Sequence, residues 1–187
     1  LQLRPELGYV ELAHRLDRET SGCLMLALDR PTLVGLQSQL VAREGVRKHY
    51  LALVSGLLTE PSVVVEAPLL TTRGEDAIRR VMVAPDGQSA RTGFAVRRSW
   101  QDEALLEIEL FTGRTHQARV HAAHIGHPIA GDRIYGHSAF NRQLRKLGLG
   151  RLFLHAERLR VIHPVTRVRH DFHAPLPETL MSVLDRL

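Results

Sequence analysis

Residues 92–113 read TGFAVRRSWQDEALLEIELFTG, and this stretch determines the fold class. Apolar and polar residues alternate over residues 105–111, which is the pattern of a strand with one buried face. A second strand candidate, residues 92–98, precedes it, and no helical pattern separates the two. Strands joined in this way pair antiparallel, whereas a doubly wound parallel fold needs helices between its strands.

The rest of the chain shows the same mixture of short strands and few helices. Further strands are predicted at residues 10–16, 23–28, 48–54, 63–70, 80–84, 152–162 and 168–173. Helices are predicted from Pro31 to Gly45 and at residues 115–125, 140–147 and 179–187. The fold class is therefore predicted to be α+β, with a mixed, mostly antiparallel central sheet flanked by helices and loops.

Length and composition restrict the class of protein. The chain has 187 residues, of which 44% are hydrophobic and 24% charged, so one globular domain over residues 1–187 is expected. The single cysteine excludes a disulfide scaffold and favours a reducing compartment. No apolar run approaches the roughly 20 residues that span a bilayer. These features predict a cytoplasmic monomer without membrane partners.

The charge balance is basic. The sequence has 25 Lys and Arg against 20 Asp and Glu, and its net charge is +5. All of the basic residues except Lys48 and Lys146 are arginines. A coding bias towards arginine explains this composition, and so does binding to nucleic acid, because guanidinium groups bind phosphates bidentately.

The first group of chemically active residues is the segment 14–22, HRLDRETSG. Asp17 lies between Arg15 and Arg18 in a polar turn. Neighbouring positive charge favours the ionised carboxylate, which can act as a nucleophile or a base. Alternatively, Asp17 caps the turn and pairs with an arginine.

The second group is the segment 112–121, TGRTHQARVH. On a helix, Arg119 shares one face with His116, Val120 and Ala123, so its side chain is expected to point inward. A buried arginine requires a carboxylate partner, because an unpaired buried charge is very costly. Asp17 is a candidate for that partner.

Four histidines between residues 116 and 127 raise the alternative of a metal site. None of them forms an i, i+4 pair, and the HExxH motif is absent. No metal ligand is therefore predicted.

Segments 14–22 and 113–121 together resemble the RluA family of pseudouridine synthases. Segment 48–56, KHYLALVSG, is similar to a motif that lies between them in that family, and segments 126–136 and 154–164 extend the resemblance. It covers roughly residues 12–175. Segment 140–144, FNRQL, followed by LFLH at 152–155, resembles the RluC type, which modifies large-subunit ribosomal RNA.

The resemblance implies a function and a set of site residues. Asp17 corresponds to the catalytic aspartate, Tyr50 to a residue over the target base, and Arg119 to the arginine that pairs with the aspartate. The alternative for Tyr50, which the sequence favours without the family context, is an aromatic residue packed in a strand. The resemblance also implies residues that bind RNA. Arg15 corresponds to the arginine that fills the stack vacated by the flipped nucleotide, and Leu154 to an apolar contact near the base. The other implied RNA-binding residues are Lys48, Arg114 and His116.

The implied reaction isomerises uridine to pseudouridine in RNA, with ribosomal RNA as the expected substrate and transfer RNA as the alternative. An isomerisation consumes no redox equivalent, so no cofactor is expected. The aspartate attacks C1′ of the ribose, adds to C6 of the base, or assists elimination to a glycal; these three routes remain open. A non-catalytic RNA-binding module and a metallohydrolase are alternative functions, although an aromatic content of 5% is low for a base-stacking surface.

Two features depart from the family pattern. Ala118 stands where the family usually has a larger aliphatic residue, so a neighbour is expected to fill the volume. The family's amino-terminal strand with its Lys-Pro motif, and any S4-type RNA-binding domain, are expected to precede Leu1.

Overall fold

The structure is a computed structural model, and it describes residues 4–73 and 79–187. The helices are α1 (Arg4–Leu7), α2 (Arg30–Ala42), α3 (Gln117–His124), α4 (Ser138–Lys146) and α5 (Glu178–Leu184). The strands are β1 (Glu11–Leu12), β2 (Ser21–Gly22), β3 (Leu26–Ala27), β4 (Val46–Ser55), β5 (Ser62–Glu66), β6 (Leu69–Arg73), β7 (Arg79–Val83), β8 (Arg91–Ser99), β9 (Glu103–Leu110), β10 (Leu154–Ile162) and β11 (Arg169–His173). Of the helices described, none has the length and apolar character needed to cross a bilayer.

A central sheet organises the molecule, with the strand order β11-β10-β4-β9-β8-β5. Neighbours along this path pair antiparallel, whereas β2 pairs parallel with β10. Two small antiparallel pairs, β1-β3 and β6-β7, lie outside it. The predicted α+β class with a mixed, mostly antiparallel sheet is confirmed.

Strand β4 lies in the middle of the sheet and is buried on both faces. Ala52 and Val54 pack into one apolar cluster, which also contains residues of α3. Leu53 packs into a second cluster on the other face, with residues of α4 and α5. This two-sided burial explains why residues 50–54 are almost entirely apolar instead of alternating.

The predicted helix after Asp29 is confirmed as α2. Asp29 caps it, because its carboxylate accepts a hydrogen bond from the Thr32 N–H at 2.7 Å. Pro31 occupies the first turn, where a missing N–H costs nothing.

The prediction of one strand over residues 63–70 is wrong. The segment divides into β5, which pairs with β8 in the central sheet, and β6, which pairs with β7. Between them the Ala67 N–H bonds to the Ala90 carbonyl, and Pro68 has no N–H to continue a ladder.

The predicted strands at residues 10–16 and 23–28 are also much shorter in the structure. Only Leu26 and Ala27 pair with β1, and Leu24 and Leu28 are exposed. The apolar run therefore does not form one buried strand: Leu24, Leu26 and Leu28 line a surface groove, whereas Met25 and Ala27 pack into an apolar cluster.

Candidate active site

The two motif segments and β4 enclose one cavity of about 440 Å³, a volume in the range of small-molecule sites. Of the eight site residues expected from the sequence, those that line this cavity are Arg15, Asp17, Lys48, Tyr50, Arg114, His116 and Leu154. Arg119, the eighth residue, does not line the cavity but contacts the carboxylate of Asp17. The structure thus brings all eight residues to one place.

The loop that carries Asp17 (residues 13–20, the Asp17 loop) is joined to the central sheet at its end. The Ser21 hydroxyl donates to Nδ1 of His155 at 2.9 Å, and Nε2–H of His155 donates to the Ala174 carbonyl at 3.0 Å. Gly22 has φ +107°, and a Cβ there would lie 2.2 Å from the Ala156 carbonyl oxygen. Only glycine fits this close approach of β2 to β10.

The start of the Asp17 loop is fixed by His14. Nε2 of His14 accepts a hydrogen bond from the Met25 N–H at 3.1 Å, so Nδ1–H donates to the Arg15 carbonyl at 3.3 Å. Burial lowers the pKa of His14, which is consistent with a neutral ring in this arrangement. The Thr20 N–H bonds to the Asp17 carbonyl at 2.9 Å and closes the turn. Asp17 is therefore presented by a loop with defined hydrogen bonds.

The amide of Gln117 organises the second motif segment. Its oxygen accepts hydrogen bonds from the Thr112 hydroxyl at 2.6 Å and the Arg114 N–H at 3.0 Å. Its nitrogen donates to the Arg91 carbonyl and the Thr92 hydroxyl, both at 2.9 Å. All four polar positions of this buried amide are used, so the segment before α3 has one defined conformation.

His121 is a structural residue below the cavity. Its Nε2–H donates to the Ala67 carbonyl at 2.9 Å, and its Nδ1 accepts from the Thr92 hydroxyl at 2.8 Å. Burial lowers the pKa of His121. Both ring nitrogens are occupied, so His121 is not available as a metal ligand. Across residues 4–73 and 79–187, no three His, Cys, Asp or Glu side chains are grouped to hold a metal ion.

Arg119 lies between two carboxylates at unequal distances. Its Nε and Nη2 bind the two oxygens of Asp132 at 2.7 and 2.9 Å, whereas its Nη1 lies 3.4 Å from Oδ2 of Asp17. The predicted contact between Arg119 and Asp17 is present. The stronger, bidentate partner is Asp132, which the sequence analysis did not identify.

Asp132 is fully buried and holds Arg119 in place. Its Oδ1 also accepts hydrogen bonds from the Ile134 and Tyr135 N–H groups at 2.9 and 3.0 Å. Burial alone would raise the pKa of Asp132, but the hydrogen bonds from Arg119 and Tyr135 outweigh burial and lower that pKa. The signal that could have identified Asp132 is its place in segment 126–136, after a helix that carries an arginine in need of a partner.

Tyr50 both packs in a strand and faces the cavity, so its two interpretations are compatible. It is 6% exposed and belongs to the apolar cluster below the site. Burial and the nearby charge of Asp17 raise the pKa of its hydroxyl, which therefore stays protonated at neutral pH.

Lys48 places positive charge in the cavity wall. Burial lowers the pKa of its ammonium group. No carboxylate among the residues that the structure describes lies within ion-pair distance of it. Its Nζ lies 3.3 Å from the position that a Cβ would take at Gly113, so the glycine leaves room for the ammonium group. The cavity thus combines a carboxylate with basic side chains, which suits an anionic substrate.

Comparisons of the sequence with known proteins identify its family. The sequence model of the family described as RNA pseudouridylate synthase matches residues 2–124. Ribosomal large subunit pseudouridine synthase C of Haemophilus ducreyi is 42% identical over 185 residues, which cover 99% of this chain and 58% of the relative. The protein of the same name from Escherichia coli is 43% identical over 187 residues, again 99% of this chain and 58% of the relative. The chain therefore spans somewhat more than half the length of these curated relatives.

Solved structures have the same fold. Human RNA Pseudouridylate Synthase Domain Containing 1 superposes with a TM-score of 0.78 at 27% identity, over 94% of this chain and 73% of that one. Human RNA Pseudouridylate Synthase Domain Containing 4 gives a TM-score of 0.76 at 28% identity, over 95% of this chain and 75% of that one.

Proposed function

Because this chain belongs to the RNA pseudouridylate synthase family, we propose that it isomerises uridine to pseudouridine in RNA and that Asp17 is its catalytic carboxylate. The observation that carries the proposal is the position of Asp17. Its side chain lines the cavity, and its one described charged partner is Arg119 at 3.4 Å. A carboxylate held in this way keeps an oxygen available for a reacting atom.

The surrounding residues suit a flipped nucleotide. The target uridine must leave the RNA stack to reach Asp17, and this costs a few kcal/mol. Arg15 is exposed at the rim, where its side chain can occupy the vacated stack. Leu154 and Tyr50 supply apolar surface for the base, and Lys48 and Arg114 supply positive charge for phosphates.

The chemistry requires one bond exchange and one proton transfer. The bond from C1′ to N1 of the base breaks, the base turns, and a bond from C1′ to C5 forms. C5 then loses its proton, and N1 gains one, so no atom is added or removed. Asp17 contributes by attack at C1′, by addition at C6, or by assisting a glycal intermediate.

The proposed substrate is large-subunit ribosomal RNA. Its support is the name shared by relatives that are 42–43% identical to this chain. The chain would be incubated with transcripts of large-subunit RNA, small-subunit RNA and transfer RNA, and pseudouridine would be mapped by mass spectrometry. Modification of the large-subunit transcript is expected. Modification of transfer RNA alone would show that transfer RNA, and not ribosomal RNA, is the substrate. Binding without any modification would favour the non-catalytic RNA-binding module.

We also propose that the protein acts as a monomer in the cytoplasm. The carboxylate, its Arg119 partner and the basic side chains of the cavity are all supplied by this chain, which supports a site that a monomer can form. The proposed ribosomal RNA substrate supports a cytoplasmic location. Light scattering of the chain with and without RNA, and cell fractionation, test these two statements.

A further inference from the structure

Two consecutive hydrogen bonds connect β7 to the cavity through Tyr135. The Val81 N–H donates to the Tyr135 hydroxyl oxygen at 2.9 Å. The same oxygen lies 2.9 Å from Nδ1 of His116, a residue that lines the cavity together with Asp17. Tyr135 has no assigned role in the reaction proposed above.

The Tyr135 hydroxyl is assigned as the donor of the second bond. Its oxygen accepts from Val81, and for its single proton the one hydrogen-bonded acceptor among the described residues is Nδ1 of His116. Burial raises the pKa of Tyr135, so the hydroxyl keeps this proton. A neutral imidazole that accepts at Nδ1 carries its hydrogen on Nε2.

The charges around the imidazole favour its neutral form. Burial, followed by the positive charge of Arg119, lowers the pKa of His116. Asp17 and Asp132 act in the opposite direction, and Arg15 adds to the lowering. Burial and the two cations outweigh the two carboxylates, so the ring is uncharged at neutral pH.

The backbone and ring of His116 are held in one position. The residue has φ +54°, in the left-handed region that histidine adopts more readily than most other residues with a side chain, and its carbonyl accepts a hydrogen bond from the Val120 N–H at 2.9 Å. Its ring also meets the Tyr135 ring edge to face, with centroids 5.6 Å apart. In the described part of the chain, no protein group bonds to Nε2, so this N–H is available to a ligand in the cavity.

We propose that Tyr135 is a positioning residue, which fixes His116 as a neutral donor whose Nε2–H binds an uncharged oxygen of the nucleotide in the cavity. The carbonyl oxygens of uracil are the acceptors that match a neutral donor. This inference rests on the proposed function, because it names a contact to that substrate. The proposal also links β7 to the cavity, because the Val81 N–H orients the Tyr135 hydroxyl that holds His116.

The first test is spectroscopic and needs no turnover. Long-range ¹H–¹⁵N correlation spectra of the chain would identify the His116 signals by their loss in His116→Gln. The parent is expected to show the neutral tautomer with hydrogen on Nε2, and Tyr135→Phe is expected to shift the ring towards a mixture of tautomers. An Nδ1–H tautomer or a cationic ring in the parent would overturn the proposal, even if Tyr135→Phe does not fold.

The second test separates a neutral contact from a charged one. Tyr135→Phe is expected to weaken binding of a uridine-containing RNA about two- to tenfold, the effect of one lost neutral hydrogen bond. The slope of log affinity against log salt is expected to stay unchanged. A slope lower by about one would mean that His116 is a cation on a phosphate, and the proposal would be wrong.

Three further variants complete the experiment. Tyr9→Phe makes the same chemical change at an exposed tyrosine outside the cavity and is expected to bind RNA as the parent does. His116→Gln keeps a neutral donor, so it is expected to bind more tightly than His116→Leu; equal affinities of these two would contradict the proposal. A parent that forms no pseudouridine would refute the proposed function alone, because tautomer and affinity are measured without turnover.

Discussion

Asp132 shows how the position of one residue depends on the fold. The sequence predicts that Arg119 is buried and needs a carboxylate, and both statements hold in the structure. The sequence does not indicate which carboxylate lies closest to Arg119. Asp17 and Asp132 both lie within motif segments, and only the tertiary fold brings either of them to Arg119. Distances of 2.7 Å to Asp132 and 3.4 Å to Asp17 separate the roles of the two carboxylates.

Asp132→Asn is expected to lower both stability and turnover. The change keeps the shape of the side chain but leaves the Arg119 charge without its main partner, and breaking a buried pair costs about 3–5 kcal/mol. Urea unfolding and turnover under saturating RNA measure the two effects. Asp171→Asn is the matched control, because Asp171 pairs with Arg160 at the same 2.7 Å on the surface. Surface pairs are worth about 0–1 kcal/mol, so equal losses in both variants would contradict this account.

Tyr50→Phe tests how the C5 proton leaves. The raised pKa of Tyr50 means that its hydroxyl is protonated at neutral pH, so it accepts a proton only while passing its own to another group. The variant is expected to bind RNA normally and to release tritium from 5-tritiated uridine about 10²- to 10⁴-fold more slowly. Tyr9→Phe serves again as the control. Release at the parent rate would exclude a role for the hydroxyl in proton transfer.

At the level of secondary structure, the sequence predicts an element correctly where a single local feature, such as one buried face or a helix cap, determines it. Strand β9 alternates because one of its faces is more buried than the other, and α2 begins at a capping aspartate followed by proline. Residues 23–28 do not form the predicted buried strand, because only Met25 and Ala27 are buried in the core while Leu24, Leu26 and Leu28 line a surface groove, and local sequence does not distinguish the two environments. Pro68, which has no N–H, marks the division of β5 from β6, although the apolar residues on both sides of it favour one continuous strand.

Gly22→Ala is expected to detach the Asp17 loop from the sheet. The new Cβ would lie 2.2 Å from a backbone oxygen, and φ +107° is unfavourable for alanine. We expect a loss of stability of more than about 1 kcal/mol and a larger loss of turnover, measured by thermal unfolding and by pseudouridine formation. Gly150→Ala is the control, since nothing lies within 4 Å of its added Cβ. A Gly22→Ala protein that matches this control would show that the loop is not anchored at β2.

For the whole molecule, buried neutral histidines predict how stability depends on pH. The pKa of His121 is lowered from its ordinary 6.5 in the folded state, so the unfolded chain binds more protons below that pH. Its contribution to the free energy of unfolding is complete above pH 6.5 and is lost as pH falls through the folded-state pKa. His14 and His116 act in the same direction. The protein is therefore expected to be less stable at about pH 5.5 than at about pH 7.5.

Urea midpoints at the two pH values check this expectation. His121→Gln removes one titrating group, so it is expected to reduce the difference between the midpoints although it lowers both. His137→Gln, at an exposed position, is expected to leave the difference as in the parent. An unchanged difference in His121→Gln would show that the burial of His121 does not set the pH dependence.

The account as a whole depends on a carboxylate that reacts with a flipped uridine, and Asp17→Asn tests it most directly. Asparagine keeps the size and most hydrogen bonds of Asp17 but has no anionic oxygen. Tritium release from RNA that carries 5-tritiated uridine would be measured beside RNA binding, with Asp86→Asn, an exposed turn residue outside the cavity, as the matched control. We predict that Asp17→Asn binds RNA and releases no tritium, whereas the control releases it at the parent rate. Tritium release by Asp17→Asn at a rate close to that of the parent would contradict the account.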